Sequence, residues 1–127
     1  MNVLAIAIGG ALGAVCRHGV NVACKAWLGV NFAYGTLAVN VLGCFLLGLL
    51  IPLSGTTPSN ARWSPAMHSA LTIGFLGALT TFSTFGFETA SHMENAQHHL
   101  AATNVALNLV LGVAAVFAGL ILGRHFG

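Results

Sequence analysis

Hydroxyl side chains are concentrated in the middle of one of the apolar stretches of the sequence. Residues 80–85 read Thr-Thr-Phe-Ser-Thr-Phe, so four hydroxyls fall within five residues, and this apolar block contains no proline. Such hydroxyls can satisfy backbone groups that are freed where a membrane helix breaks. A broken helix offers carbonyl oxygens to a cation and N–H groups to an anion. We therefore predict that the helix breaks near its middle, at Gly77 and the hydroxyl cluster.

Two phenylalanines and a carboxylate accompany the hydroxyls. Phe82 and Phe85 are three residues apart and share one face of a helix. The edge of an aromatic ring is electropositive, so two ring edges beside a narrow path would favour a small anion without any formal positive charge. Packing against lipid or the core is the alternative for these rings. Glu88 is compatible with a proton relay, a helix-end interaction or the mouth of a pathway.

Asparagine side chains supply neutral hydrogen-bond donors elsewhere in the apolar sequence. Asn40 follows Thr36 by one helical turn, and Asn108 follows Asn104 in the same way. A carboxamide within a membrane span is unfavourable unless it has a partner, and its two N–H groups suit an anion without any need to titrate. A hydrogen bond between helices is the alternative for Asn40.

The composition places these residues in a membrane protein. Apolar residue types account for 57% of the 127 residues and charged types for 5%, and the mean hydropathy is +0.88. Soluble domains contain about 25% charged residues, and this chain has too few to cover a soluble fold. A soluble enzyme, a nucleic-acid-binding protein and a disordered chain are therefore excluded.

The sequence contains four apolar blocks, each long enough to cross the hydrocarbon core, which takes about 20 residues. They are residues 3–23, 32–53, 67–89 and 101–122. Small residues recur every four positions along them, a spacing that lets helix backbones approach closely. The composition of residues 54–65 is typical of a loop. We predict an all-α membrane protein with four transmembrane helices, in a single domain that comprises residues 1–127.

Positive charge is evenly divided between the two ends of these helices. With four spans, Arg62 and Arg124 lie at the end that carries both termini, and Arg17 and Lys25 lie at the other. The positive-inside rule then has almost no bias on which to act, which favours insertion in both orientations and an antiparallel dimer. An accidental tie among so few charges is the alternative. Arg17 suits either an anchor at the membrane surface or an anion vestibule.

Three stretches of the sequence resemble, in the same order, the motifs of the Fluc/CrcB fluoride channels. The first is Gly-Gly-Ala-Leu-Gly-Ala-Val-Cys-Arg at residues 9–17, and the second is Gly-Thr-Leu-Ala-Val-Asn at residues 35–40. The third covers residues 74–88 and contains the hydroxyl and phenylalanine cluster. The length of the chain and the number of spans also match those of the family.

The resemblance implies a passive channel and not an enzyme. The family forms dual-topology antiparallel homodimers in the bacterial plasma membrane, with two pathways through which cytoplasmic fluoride escapes, so that its toxicity is reduced. The family also has a central structural sodium ion, which is held by backbone carbonyls at the break in the third helix. The positions that match its ligands here are Gly77 and Thr80.

The same resemblance implies roles for individual side chains. The matched residues are the pore-lining Phe82 and Phe85, the pore asparagine Asn40, the hydroxyl track of Ser83 and Thr84, and the vestibule residue Arg17. We add Thr36 to the predicted anion pathway and Glu88 to the vestibule. In the fourth block Gly112 stands where the family often has a hydroxyl residue, and Asn108, one turn earlier, is a candidate for the missing donor.

A small dual-topology multidrug/proton exchanger is the main alternative. Such an exchanger needs a membrane-embedded carboxylate within a cation-binding site, but the first block contains no carboxylate and Glu88 is near the end of the third. A protein that packs against other membrane subunits is a further alternative, which leaves the cluster at residues 80–85 unexplained. We expect fluoride, the lipid bilayer and a second copy of the chain as partners, and no nucleic acid.

Overall fold

The computed structural model describes residues 2–55 and 61–127, and all of the regular structure in these ranges is helical. Four helices are long and apolar enough to cross a membrane. The prediction of an all-α, four-span, multi-pass membrane protein is therefore confirmed. The central part of the predicted loop, with Pro58, Ser59 and Asn60, lies outside the described residues.

Three of the spans are single helices, whereas several helical segments make up the third span, Pro65–Glu94. In chain order the elements are α1 (Asn2–Leu28), α2 (Tyr34–Leu53), α3 (Pro65–His68), a π-helical segment (Ser69–Leu76), α4 (Gly77–Leu79), α5 (Phe82–Glu94) and α6 (His98–Phe126). The first and last helices are longer than the apolar blocks that predict them, because the helices continue into the polar residues at their ends.

The third span begins with a capped turn. Ser64 has an extended backbone, and its hydroxyl accepts a hydrogen bond from the Met67 N–H at 3.2 Å. Pro65 follows in the first turn, where a missing N–H removes no helical hydrogen bond. The π-helical segment comes next and packs against α1. Such wide turns are rare and are often found at functional sites.

Glycines bring two pairs of elements into backbone contact. α1 packs against the π-helical segment, and α2 packs against α6. In the first pair a Cβ added at Gly9 would overlap the Ala70 carbonyl oxygen, and in the second pair a Cβ at Gly119 would overlap the Phe45 carbonyl oxygen. The close approach of backbones predicted from the spacing of small residues is therefore observed.

The buried hydrophobic core is small. It consists of Val39, Leu76 and Leu79, whereas large apolar side chains such as Phe117 and Ile121 are exposed on the outer faces of the helices. Those faces are suited to contact with lipid. Because lipid tails are as apolar as these side chains, the helices depend on close packing of small residues and on hydrogen bonds to associate.

We predict that Gly9→Ala destabilises the protein and that Gly19→Ala does not. A methyl group at Gly9 would overlap the Ala70 carbonyl oxygen, whereas a methyl group at Gly19 meets nothing within 4 Å. Overpacking of this kind costs about 1–3 kcal/mol, and alanine is a better helix former than glycine. Thermal unfolding of the two purified variants in detergent measures the difference, and equal Tm values would contradict the packing.

Candidate functional site

The third span is interrupted between α4 and α5. Thr80 and Thr81 have extended backbones, with φ/ψ of −79°/156° and −151°/116°. Gly77 is helical, with φ/ψ of −63°/−34°. The break predicted at Gly77 and the hydroxyl cluster is therefore present. It lies at the first two residues of that cluster, Thr80 and Thr81, and Gly77 itself is helical. The Thr80 hydroxyl donates to the Leu76 carbonyl, which also accepts from the Thr80 N–H. The Thr81 hydroxyl supplies an acceptor that the interrupted helix lacks, which a glycine could not do.

Thr81 caps the helix that follows the break. Its hydroxyl accepts from the Thr84 N–H at 3.2 Å and donates to Thr84 Oγ1 at 3.0 Å, and the Ser83 hydroxyl is 3.3 Å away. The Ser83 side chain is exposed, whereas Thr84 is half-buried. Thr81 is not among the predicted site residues, although a threonine immediately before a helix is a known N-cap signal.

Asn40 of α2 holds the other side of the break. Its side-chain oxygen accepts from the Thr81 N–H at 2.8 Å, and its Nδ2 donates to the Thr81 carbonyl at 3.2 Å. The carboxamide thus supplies one acceptor and one donor to Thr81, as the peptide groups of a neighbouring chain segment would. Asn40 Nδ2 also donates to Asn108 Oδ1 at 2.9 Å. Both N–H donors of the predicted pore asparagine are therefore engaged within the chain.

The break removes the helical partners of the last carbonyl oxygens before it, and those of Gly77 and Thr80 are two of them. In a continuous helix the Gly77 carbonyl would accept from the Thr81 N–H, and the Thr80 carbonyl would accept from the Thr84 N–H. Those two N–H groups bind Asn40 Oδ1 and Thr81 Oγ1 instead. The two residues that match the sodium ligands in sequence therefore have carbonyl oxygens available, and oxygen is the donor that hard cations prefer.

An open cavity of about 350 Å³ brings together most of the predicted pathway residues. Its lining includes Asn40, Gly77, Thr80, Phe82, Phe85 and Asn108. The ring centroids of Phe82 and Phe85 are 5.5 Å apart, and the ring planes are inclined at 55°. Phe82 is 83% exposed, so this side of the cavity opens at the surface of the chain.

A second and more polar cavity, of about 280 Å³, lies beside α1, α2 and α5. Glu88 and Lys25 line it. Thr36 is fully buried and donates to Glu88 Oε1 at 2.9 Å, while Glu88 Oε2 is buried without a hydrogen-bond partner in the described part of the chain. Arg17, the predicted vestibule cation, lies two turns before Lys25 on α1. The structure therefore brings Thr36 and Glu88 together. The cavity that Glu88 lines includes Lys25 in its lining but neither Arg17 nor Phe82.

α6 contributes two asparagines, Asn104 and Asn108, to the hydrogen bonds of the site. Asn108 Nδ2 donates to the Asn104 carbonyl at 2.9 Å and to Asn104 Oδ1 at 3.0 Å, so that the Asn108 oxygen faces Asn40. Asn104 is fully buried and donates to the Thr89 hydroxyl at 2.9 Å. The fourth span thus takes part in the site despite Gly112, and Asn108 presents an acceptor to Asn40. Neither Asn104 nor Thr89 is among the predicted site residues; the one-turn spacing of the two asparagines is the signal for Asn104.

The sequence matches one protein family over nearly its whole length. The model of the family described as CrcB-like protein, Camphor Resistance (CrcB), covers residues 4–120. This chain belongs to the CrcB family. The matched residues include the break in the third span and both cavities, so the CrcB family model covers the whole candidate site.

Relatives of this CrcB chain include proteins named fluoride-specific ion channel FluC. The one from Dehalococcoides mccartyi is 46% identical over 122 residues, which cover 96% of this chain and 92% of the relative. Those from Acidobacterium capsulatum and Hydrogenovibrio crunogenus are 42% and 41% identical. They cover 98% and 99% of this chain and 98% and 93% of their own length. The family predicted from the three motifs is confirmed.

Proposed function

We propose that this CrcB protein is a fluoride-selective channel, through which cytoplasmic fluoride leaves the cell down its gradient and its toxicity is reduced. The observation that carries the proposal is the cavity at the helix break, which Asn40, Phe82 and Phe85 line together without a charged side chain. Relatives at 41–46% identity that are named fluoride-specific ion channels support the same ion. The proposal includes no chemical step, so the protein is not an enzyme.

The mechanism that this geometry supports is a stepwise replacement of the water around fluoride. At the cavity Asn40 supplies N–H donors, and Phe82 and Phe85 supply electropositive ring edges. Ser83 and Thr84 are not part of its lining, and their hydroxyls would act beside it on the first turn of α5. Because all of these groups are neutral, each site binds the anion weakly enough to release it again, as conduction requires. At Asn40 the ion has to replace an oxygen that an N–H group already binds.

The environment of Glu88 does not favour a multidrug/proton exchanger. Such an exchanger needs a carboxylate that binds a cation. Glu88 accepts from Thr36 and lines a cavity that Lys25 also lines, so a second cation would be repelled by Lys25. Lys25 would attract an anion to this cavity, and the Glu88 carboxylate in the same lining would oppose its tight binding. We propose Lys25 for the vestibule role that the sequence assigned to Arg17.

We further propose that two copies of the chain associate in antiparallel orientation. Gly77 is exposed and Phe82 is 83% exposed, so the cavity at the break lacks a wall on this side within one chain. Carbonyl oxygens that face lipid without a partner are unfavourable by several kcal/mol, and a second copy would cover them. The two-against-two division of Lys and Arg permits each copy to insert in either orientation.

We propose that a structural sodium ion binds between two such copies. The available carbonyl oxygens of Gly77 and Thr80, two from each copy, form a set of hard donors of the kind that such a cation takes. When bound, the ion would neutralise the partial negative charges of these carbonyls and join the two helix breaks. Its role is structural, and the anion pathway beside Asn40 does not pass through it.

We predict that liposomes containing the purified protein release fluoride and retain chloride, as an ion-selective electrode would record. Asn40→Asp should nearly abolish the fluoride flux, because it exchanges two N–H donors for an acceptor and a negative charge. Loss of one hydrogen bond to a charged group costs about 1.5–3 kcal/mol, or roughly 10- to 150-fold in rate where the site limits passage. Phe82→Leu and Phe85→Leu retain apolar bulk but lose the ring edge, so they should slow the flux by a smaller factor.

The control for these variants is their state of assembly, measured by chemical cross-linking in the same membranes. Asn40 also binds Thr81, so the loss of flux is meaningful only in a variant that assembles. If both leucine variants conducted like the parent and Asn40→Asp failed to assemble, the residues would be structural. Drug-driven proton flux without fluoride flux would favour the exchanger.

We predict that added positive charge at one end of the helices forces a single orientation and removes function. Glu94→Arg with Asn95→Arg adds charge beside the turn between α5 and α6, and His125→Arg with Phe126→Arg adds it at the opposite end. Each pair alone should lose fluoride flux, and co-expression of the two should restore it, because only oppositely oriented copies can associate. Cysteine labelling from both sides measures orientation; a single orientation of the unaltered chain would refute dual topology.

We predict that Gly77→Val weakens the dimer without disturbing the single chain, whereas Gly19→Val leaves the dimer intact. A Cβ at either position meets nothing within 4 Å in one chain. At Gly77, however, the valine would stand between the proposed sodium ligands and the second copy. Cross-linking yields in sodium and in a large organic cation measure the dimer and its dependence on the ion. If Gly77→Val and Gly19→Val gave equal cross-linking yields, and both yields depended on sodium, the sodium site proposed at Gly77 would be excluded.

A further inference from the structure

A directed series of hydrogen bonds leads from the helix break to α6 and back to α5. Its members, from donor to acceptor, are the Thr81 N–H, the carboxamides of Asn40, Asn108 and Asn104, the Thr89 hydroxyl and the Phe85 carbonyl. The successive distances are 2.8, 2.9, 3.0, 2.9 and 2.8 Å. Each carboxamide accepts through its oxygen and donates through its nitrogen, so every bond points the same way. Hydrogen bonds in such a series polarise and strengthen one another.

Asn108 is the member of this series that faces both the cavity and Asn40. Its oxygen accepts from Asn40 Nδ2, and its nitrogen donates to two oxygens of Asn104. If the Asn108 carboxamide were reversed, its oxygen would face the two oxygens of Asn104, and its nitrogen would face the nitrogen of Asn40. Because Asn104 is fully buried, it cannot turn to water to relieve that clash. Asn104 therefore keeps the Asn108 oxygen directed at Asn40.

We propose that the Asn108 oxygen is a resident competitor for the anion at Asn40, and that Asn104 is the positioning residue that keeps it there. The inference rests on the proposed function, since it takes fluoride to pass Asn40. A fluoride ion is a hydrogen-bond acceptor, and the Asn40 N–H that it would bind is already donated to Asn108. Binding is therefore an exchange of one acceptor for another. The exchange lowers the net affinity, and the return of the oxygen helps to release the ion.

An internal competitor opposes every anion by the same factor. It raises the half-saturating concentrations of fluoride and of chloride equally, so it adjusts affinity and leaves the ratio of the two fluxes unchanged. A purely structural Asn108 would behave differently. Its replacement would loosen the wall of the cavity, which would lower the maximal flux or admit chloride without a fall in the half-saturating concentration.

The test measures fluoride flux from liposomes as a function of fluoride concentration for the parent chain, Asn108→Leu and Asn108→Asp. Leucine is similar in size but has no acceptor, so the half-saturating concentration should fall by about 2- to 12-fold, the value of one neutral hydrogen bond. Aspartate retains the oxygen and adds negative charge, so this concentration should rise. The fluoride-to-chloride flux ratio of Asn108→Leu should equal that of the parent. Thr103→Leu is the matched control, because Thr103 is exposed on the same helix, and it should leave the curve unchanged.

A second variant guards against instability of Asn108→Leu, which leaves the buried Asn104 Oδ1 without its donor. The double variant Asn104→Leu/Asn108→Leu replaces both partners of that bond by apolar groups, a change that can be nearly neutral for stability, and it should show the same fall. Three results would overturn this inference without affecting the proposed function. They are equal half-saturating concentrations in the leucine and aspartate variants, a rise in the leucine variants, and new chloride flux. Absence of fluoride flux in the parent would overturn the proposed function, and the inference with it.

Discussion

The peptide groups of Thr81 need hydrogen-bond partners within a membrane span, where water cannot supply them. Asn40 provides both partners, since its carboxamide accepts from the Thr81 N–H and donates to the Thr81 carbonyl. This one side chain allows the third span to be interrupted and α5 to begin again at a threonine cap. The available carbonyls of Gly77 and Thr80 and the position of the phenylalanines on the first turn of α5 both follow from that interruption.

Asn40 can bind both Thr81 and Asn108 only if α2 lies close to the broken span and to α6 at once. A Cβ at Gly43, one turn after Asn40, would overlap the Thr80 side chain, and a Cβ at Gly48 would overlap the backbone of α6. In lipid there is little hydrophobic force to bring helices together. The glycines therefore determine how near the helices come, and the asparagines, which bond only in one relative position, determine how they are aligned along their length.

The helices are easier to predict from this sequence than the hydrogen bonds between them. Apolar length and the concentration of hydroxyls are properties of neighbouring residues, so the four spans and a break in the third could be predicted. The hydroxyl cluster also predicts the place of the break, but the hydrogen bonds that stabilise it come from Asn40, which is 41 residues from Thr81 in the sequence. The pairing of Thr36 with Glu88 spans 52 residues and is equally invisible to local patterns. Arg17 and Lys25 are two turns apart on α1, and only Lys25 lines the second cavity. The spacing of the two residues does not show which of them lies there.

Neutral carboxamides beside the break can release an anion more easily than a fixed positive charge could. A cationic side chain in a low-dielectric cavity would hold an anion strongly, and a channel has to release it. Lys25 lies at the second cavity, where it can attract an anion without binding it at the break. In the series from Asn40 to Thr89 every carboxamide nitrogen donates to at least one acceptor before any ion arrives. In the proposed pathway an anion at Asn40 must replace one of the hydrogen bonds that stabilise the resting chain, and the strength of that bond limits how tightly the anion is held.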